Sequence, residues 1–74
     1  MQRFTVETAP PFGDPRLTYQ PAHHVQDQYN EGKDLWIDGS YVFVLDYYPE
    51  DGGGPPTERD VYNAWIESLK EKEA

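Results

Sequence analysis

The chain has 74 residues, 14 acidic and six basic side chains, a formal charge of −8, no cysteine, and an aromatic content of 15%. A chain of this length holds one small hydrophobic core and buries only about 60% of the surface its unfolded form exposes. Without cysteine there is no disulfide or thiolate-metal staple, and no apolar run reaches the length of a membrane span.

The negative charge is uneven: residues 1–37 carry a net −2 and residues 38–74 a net −6. Such a field repels nucleic acid and anionic lipid and attracts basic surfaces. Six scattered cations cannot form a stripe that tracks phosphates, so neither direct nucleic-acid binding nor membrane binding is expected. The opening "MQRFTVET" lacks the basic and apolar regions of a signal peptide, which points to a cytoplasmic protein. Net charge of this size also keeps small proteins soluble, with no partner implied.

In chain order, the alternation of Phe4 and Val6 with Arg3, Thr5 and Glu7 predicts a half-buried strand at residues 1–8. Residues 9–21 hold four prolines and a glycine in "APPFGDPRLTYQP", the composition of an ordered loop or extended arm. From Pro21 to Gly32 the chain reads as a short, weak helix. Pro21 suits its first turn, Ala22, Val25 and Tyr29 share a face, and Gly32 is the stop.

In "DLWIDGSYVFVLDYY", β-rich runs flank Asp38-Gly39, the pair that best tolerates the positive φ of a type I′ hairpin turn. A two-residue loop sets Ile37 against Ser40, Trp36 against Tyr41 and Leu35 against Val42. One face then carries Trp36, Tyr41, Phe43, Leu45 and Tyr47; the other carries Leu35, Ile37, Val42, Val44 and Tyr48. Both faces are apolar, unusual for an antiparallel hairpin with one wet side.

The Gly/Pro segment at residues 50–56 reads as a flexible break. Beyond it, Thr57 is placed to cap a helix with Asp60 three residues on, and Glu58 and Asp60 suit the positive helix end. Val61, Tyr62, Trp65, Ile66 and Leu69 form one apolar stripe ending near Lys72. The expected fold is α+β: one small acidic domain with a three-stranded, mainly antiparallel sheet, a C-terminal amphipathic helix and the short second helix.

Chemistry is sparse. His23 and His24 diverge on a helix, and with Asp27 they offer fewer ligands than the three or four a zinc site needs. Asp46, Glu50 and Asp51 lack the ligand spacing of a calcium loop, and "GGGPPTER" lacks the lysine of a phosphate-cradling loop. Ser40 and Ser68 have no base at hand. No enzyme, cofactor or metal site is expected.

What stands out is more aromatic surface than one small core hides, followed directly by acids. Aromatic anchors supply affinity, and acids supply steering and register. The expected function is that of a small modulator binding a larger protein with a basic surface. By size and charge it resembles a viral-type inhibitor of a host nucleic-acid-handling protein: an RNA polymerase, a nuclease or a CRISPR-type defence complex. Its candidate contact residues are Trp36, Tyr41, Asp46, Tyr47, Tyr48, Glu50, Asp51, Glu58 and Asp60. The alternative is a structural or accessory subunit of a larger complex, acidic only for solubility.

Overall fold

The computed structural model describes residues 4–22 and 30–73. Three antiparallel strands, β1 (Leu17–Pro21), β2 (Lys33–Ile37) and β3 (Ser40–Leu45), form a sheet in the order β1-β2-β3. A 3-10 turn at Pro49–Asp51 follows, and then the helix α1 (Glu58–Glu73). The fold is the small α+β arrangement expected.

Asp38 and Gly39 close the β2–β3 hairpin with φ of 51° and 79°. Both values are positive, as a type I′ turn requires. A Cβ built on Gly39 meets nothing within 4 Å, so a substitution there costs conformation alone. Gly39→Val is therefore expected to destabilise by about 1–2 kcal/mol more than Gly39→Asn, because asparagine tolerates the left-handed region. Urea denaturation of the two variants checks this; equal midpoints would rule out the turn.

Beyond the turn the register departs from expectation. Ile37 faces Ser40 and Trp36 faces Tyr41, but Leu35 faces Phe43 instead of Val42. Val42 is the extra residue of a β-bulge, and every residue after it changes side. Phe43 and Leu45 thus join Leu35 and Ile37 instead of Trp36, while Val44 moves to the side of Trp36 and Tyr41. The physical reason is burial. A strictly alternating strand would divide its apolar residues between two faces, whereas the bulge lets Val42, Phe43 and Leu45 all pack on the one core. Tyr47 and Tyr48 lie past the end of β3.

Two other expectations are corrected. Residues 5–8 form a turn, not a strand: Ala9 N donates to Thr5 O at 2.9 Å and Thr5 N donates to Thr8 Oγ1 at 2.8 Å. Threonine hydroxyls offer the backbone a local alternative to a sheet ladder, and Val6 N donates to Glu73 Oε1 at the far end of α1. Phe4 and Val6 still reach the core. The first strand comes instead from the end of the proline-rich stretch. There Leu17 pairs with Ile37 and Tyr19 with Leu35, both turned toward the core, while Thr18 and Gln20 face the other way. Most of the expected second helix, residues 23–29, lies outside the described residues. Pro21 ends β1 and Gly32 precedes β2.

Helix α1 begins with a reciprocal cap. Asp60 N donates to Thr57 Oγ1 at 3.2 Å, and Thr57 N donates to Asp60 Oδ2 at 3.0 Å. Val61, Trp65 and Leu69 are buried against Leu35 and Ile37, and the helix lies across β2 and β3. The proline-rich loop is pinned at the helix start: Tyr62 Oη donates to Pro10 O at 2.7 Å, and Arg59 sits 4.7 Å from the centre of the Phe12 ring.

Candidate functional site

With α1 on one side of the sheet, the alternate residues of each strand form the opposite face. Thr18 and Gln20 from β1, Asp34 and Trp36 from β2, and Tyr41 and Val44 from β3 make up that face. The rings of Trp36 and Tyr41 meet edge to face, 5.8 Å apart at 81°. Tyr41 is 49% exposed, a large fraction for an aromatic side chain. The Trp36 indole N–H is buried with no hydrogen-bond acceptor among the described residues. Partial burial pushes the Tyr41 hydroxyl above its ordinary pKa, and the charges of Asp34 and Asp46 push in the same direction. Asp34 shares this face with Trp36 through their alternation on β2, and Asp46 follows directly after β3.

Asp46 is held in place by Asn30. The Asn30 side chain donates from Nδ2 to Asp46 Oδ1 at 2.7 Å, while its Oδ1 accepts from Gly32 N and Tyr47 N. Tyr47 commits its own hydroxyl within the chain, donating to Gly52 O at 2.9 Å. Tyr48 is half-buried beside it, Glu50 is exposed in the 3-10 turn, and Asp51 ends that turn.

The structure thus brings together Trp36, Tyr41 and Asp46 of the expected contact residues, and adds Asp34, which sequence reasoning passed over. Its alternation with Trp36 was the available signal. Glu58 and Asp60 belong elsewhere, at the start of α1 in the other layer of the fold. Asp60 is engaged in the helix cap. Glu58 lines an open groove of about 460 Å³, whose other walls include Phe12, Asp14, Pro15, Leu17 and Tyr19, a volume in the range of ligand pockets.

Beside the groove, Arg16 bonds both oxygens of the lining residue Asp14 at 3.1 Å and holds that carboxyl below its ordinary pKa. Burial raises the Tyr19 hydroxyl, with Glu58 and Tyr62 adding to the shift, and that hydroxyl has no hydrogen-bond partner among the described residues. The groove was not legible in the sequence, since its walls come from residues 12–19 and 58.

His23, His24 and Asp27 lie outside the described residues. Among the described residues, no three His, Asp or Glu side chains are grouped to hold a metal ion, and no helix is long and apolar enough to cross a membrane. No family model, curated protein or solved structure matches the chain.

Proposed function

We propose that this protein is a small acidic modulator that docks on a larger protein through the sheet face opposite α1, with Trp36 and Tyr41 as anchors. The observation that carries this reading is the edge-to-face Trp36–Tyr41 pair, with Tyr41 half exposed and Asp34 and Asp46 beside it. An aromatic centre with a charged rim is the anatomy of a specific protein interface. The rim is acidic and the whole chain carries −8, so the complementary surface is basic. Surfaces that receive nucleic acid are basic, which makes a polymerase, nuclease or defence complex the partner class this charge fits.

The test is capture from a lysate of the source cells, followed by kinetics with the captured protein. Trp36→Ala/Tyr41→Ala, checked for folding by circular dichroism, is expected to lose the partner. Glu50→Lys/Asp51→Lys/Glu58→Lys is expected to slow association several-fold at low salt while dissociation changes little. Unchanged capture by the folded double-alanine protein would remove the outer face from the reading. Loss with the aromatic pair but no response to charge or salt would favour a permanent accessory subunit.

A further inference from the structure

β1 is an edge strand, and the phase of its ladder shows which backbone groups face outward. Asp38 N donates to Arg16 O at 3.1 Å, and Ala22 N donates to Gly32 O at 3.0 Å. Both bonds fall in register with the Leu17–Ile37 pairing, so residues 16, 18, 20 and 22 direct their backbone groups at β2. In an antiparallel ladder the alternate residues direct theirs away. Leu17 and Tyr19 are those residues. Leu17 N is used by Asp14 O at 3.0 Å; the Leu17 carbonyl and both the N–H and C=O of Tyr19 face the free edge.

That edge lines the groove. Leu17, Thr18 and Tyr19 are consecutive lining residues, and Phe12, Pro15 and Glu58 line it with them. The opposite edge of the sheet is less suited to pairing, because the Val42 bulge breaks the regular spacing of β3. Pro21 contributes no N–H, which limits pairing on β1 to the part inside the groove.

We infer that the β1 edge is a strand-addition site, where an extended, basic segment of a protein partner pairs with Leu17 and Tyr19 and sets a lysine or arginine beside Glu58. Main-chain bonds supply the affinity of such sites and side-chain pockets the specificity. The sign of charge follows from the lining, whose charged groups are Asp14 and Glu58, while the two adjoining arginines are already engaged, Arg16 with Asp14 and Arg59 against the Phe12 ring. Asp14 is already paired with Arg16, so Glu58 is the carboxylate that meets the incoming cation. The strand pairing stands apart from docking on the Trp36–Tyr41 face; only the basic character of the segment is shared with that reading.

The probe is an acetylated and amidated pentapeptide, Thr-Val-Arg-Val-Thr, whose central arginine pairs with Tyr19 and shares its face of the sheet with Glu58, titrated into the ¹⁵N-labelled protein. The Tyr19 amide is expected to shift saturably and to become protected from hydrogen exchange. N-methylation of the peptide's central amide should abolish binding. Replacing its arginine with glutamate should weaken binding about tenfold or more, and Glu58→Lys should reverse that preference. The Trp36 indole signal stays unmoved if the groove acts alone, which separates this site from the outer face. A Tyr19 amide that does not respond, or an N-methylated peptide that binds as well as its parent, would overturn the pairing. A Tyr19 shift that follows protein concentration without peptide would overturn the choice of occupant in favour of a second copy of the chain.

Discussion

Trp65→Ala is expected to leave the protein unfolded or barely folded at room temperature. Trp65 is 3% exposed and sits between Val61 and Leu69 on the buried stripe of α1. Its ring meets Phe4 and Tyr62 edge to face, each at 5.9 Å. The substitution removes the contact between the helix and the N-terminal turn together with much of the helix–sheet packing. Truncating a buried tryptophan costs about 3–5 kcal/mol. A chain of this length has roughly 4–11 kcal/mol of total stability, at the usual contribution per residue. The loss is therefore comparable to the lower end of what is available. Trp65→Phe keeps an aromatic ring in the stripe and should cost less than half as much. Far-ultraviolet circular dichroism against urea measures both, and Trp36 remains as a fluorescence reporter in the Trp65 variants. An alanine variant with an unchanged midpoint would contradict the placement of Trp65 in the core.

The elements legible in the sequence are those whose signals are local. Asp38-Gly39 sets its turn through the φ preferences of two residues, and Thr57 with Asp60 closes its cap across one helical turn. Both appear in the structure as read. The Val42 bulge has no such signature, because it answers a tertiary demand: a strand with two apolar faces packs one of them on α1. The first strand was obscured in the opposite way. Leu17 and Tyr19 alternate with Thr18 and Gln20, a period of two, yet the surrounding prolines argued for a loop. Residues 1–8 showed the same alternation, and a threonine-bonded turn prevailed over residues 5–8. Pattern alone did not decide between the two segments; pairing to β2 did.

The candidate site divides along the same line. Trp36 and Tyr41 are partners across a two-residue turn, so their meeting was readable from the hairpin. The acids were read from nearness in sequence to the glycine run, and nearness in sequence does not fix a layer. Asp34 and Asp46 fall beside Tyr41, whereas Glu58 and Asp60 travel with α1 to the other side of the sheet. The charge reversal at Glu50, Asp51 and Glu58 therefore tests long-range steering, and the Trp36/Tyr41 pair tests contact.

Gly32→Ala is the second substitution expected to have a large effect, and its cause differs from that at Gly39. Gly32 has no positive φ, and what it requires is space. A Cβ at this position would collide with the Leu45 carbonyl oxygen and lie 2.8 Å from Asp46 Cα and 2.9 Å from Asn30 Oδ1. The first two are backbone atoms, so no rotamer change relieves the contact; the end of β3 must move. Moving it strains Glu31 N to Tyr47 O, now 2.8 Å, and opens the bracket in which Asn30 Oδ1 accepts from Gly32 N at 2.8 Å and Tyr47 N at 3.2 Å. Overpacking with a backbone shift costs about 1–3 kcal/mol, and each net hydrogen bond lost adds about 1 kcal/mol. The expected destabilisation is about 2–4 kcal/mol in urea, with faster amide exchange at Glu31 and Tyr47. Asn30→Ala, which breaks the bracket without a collision, should cost less and speed exchange at the same amides. Because Asn30 also fixes Asp46, both variants loosen the acidic rim of the Trp36–Tyr41 face while leaving its rings intact. A Gly32→Ala protein as stable as the parent would show that the segment before β2 is not packed on the end of β3, and the acidic rim would then need another support.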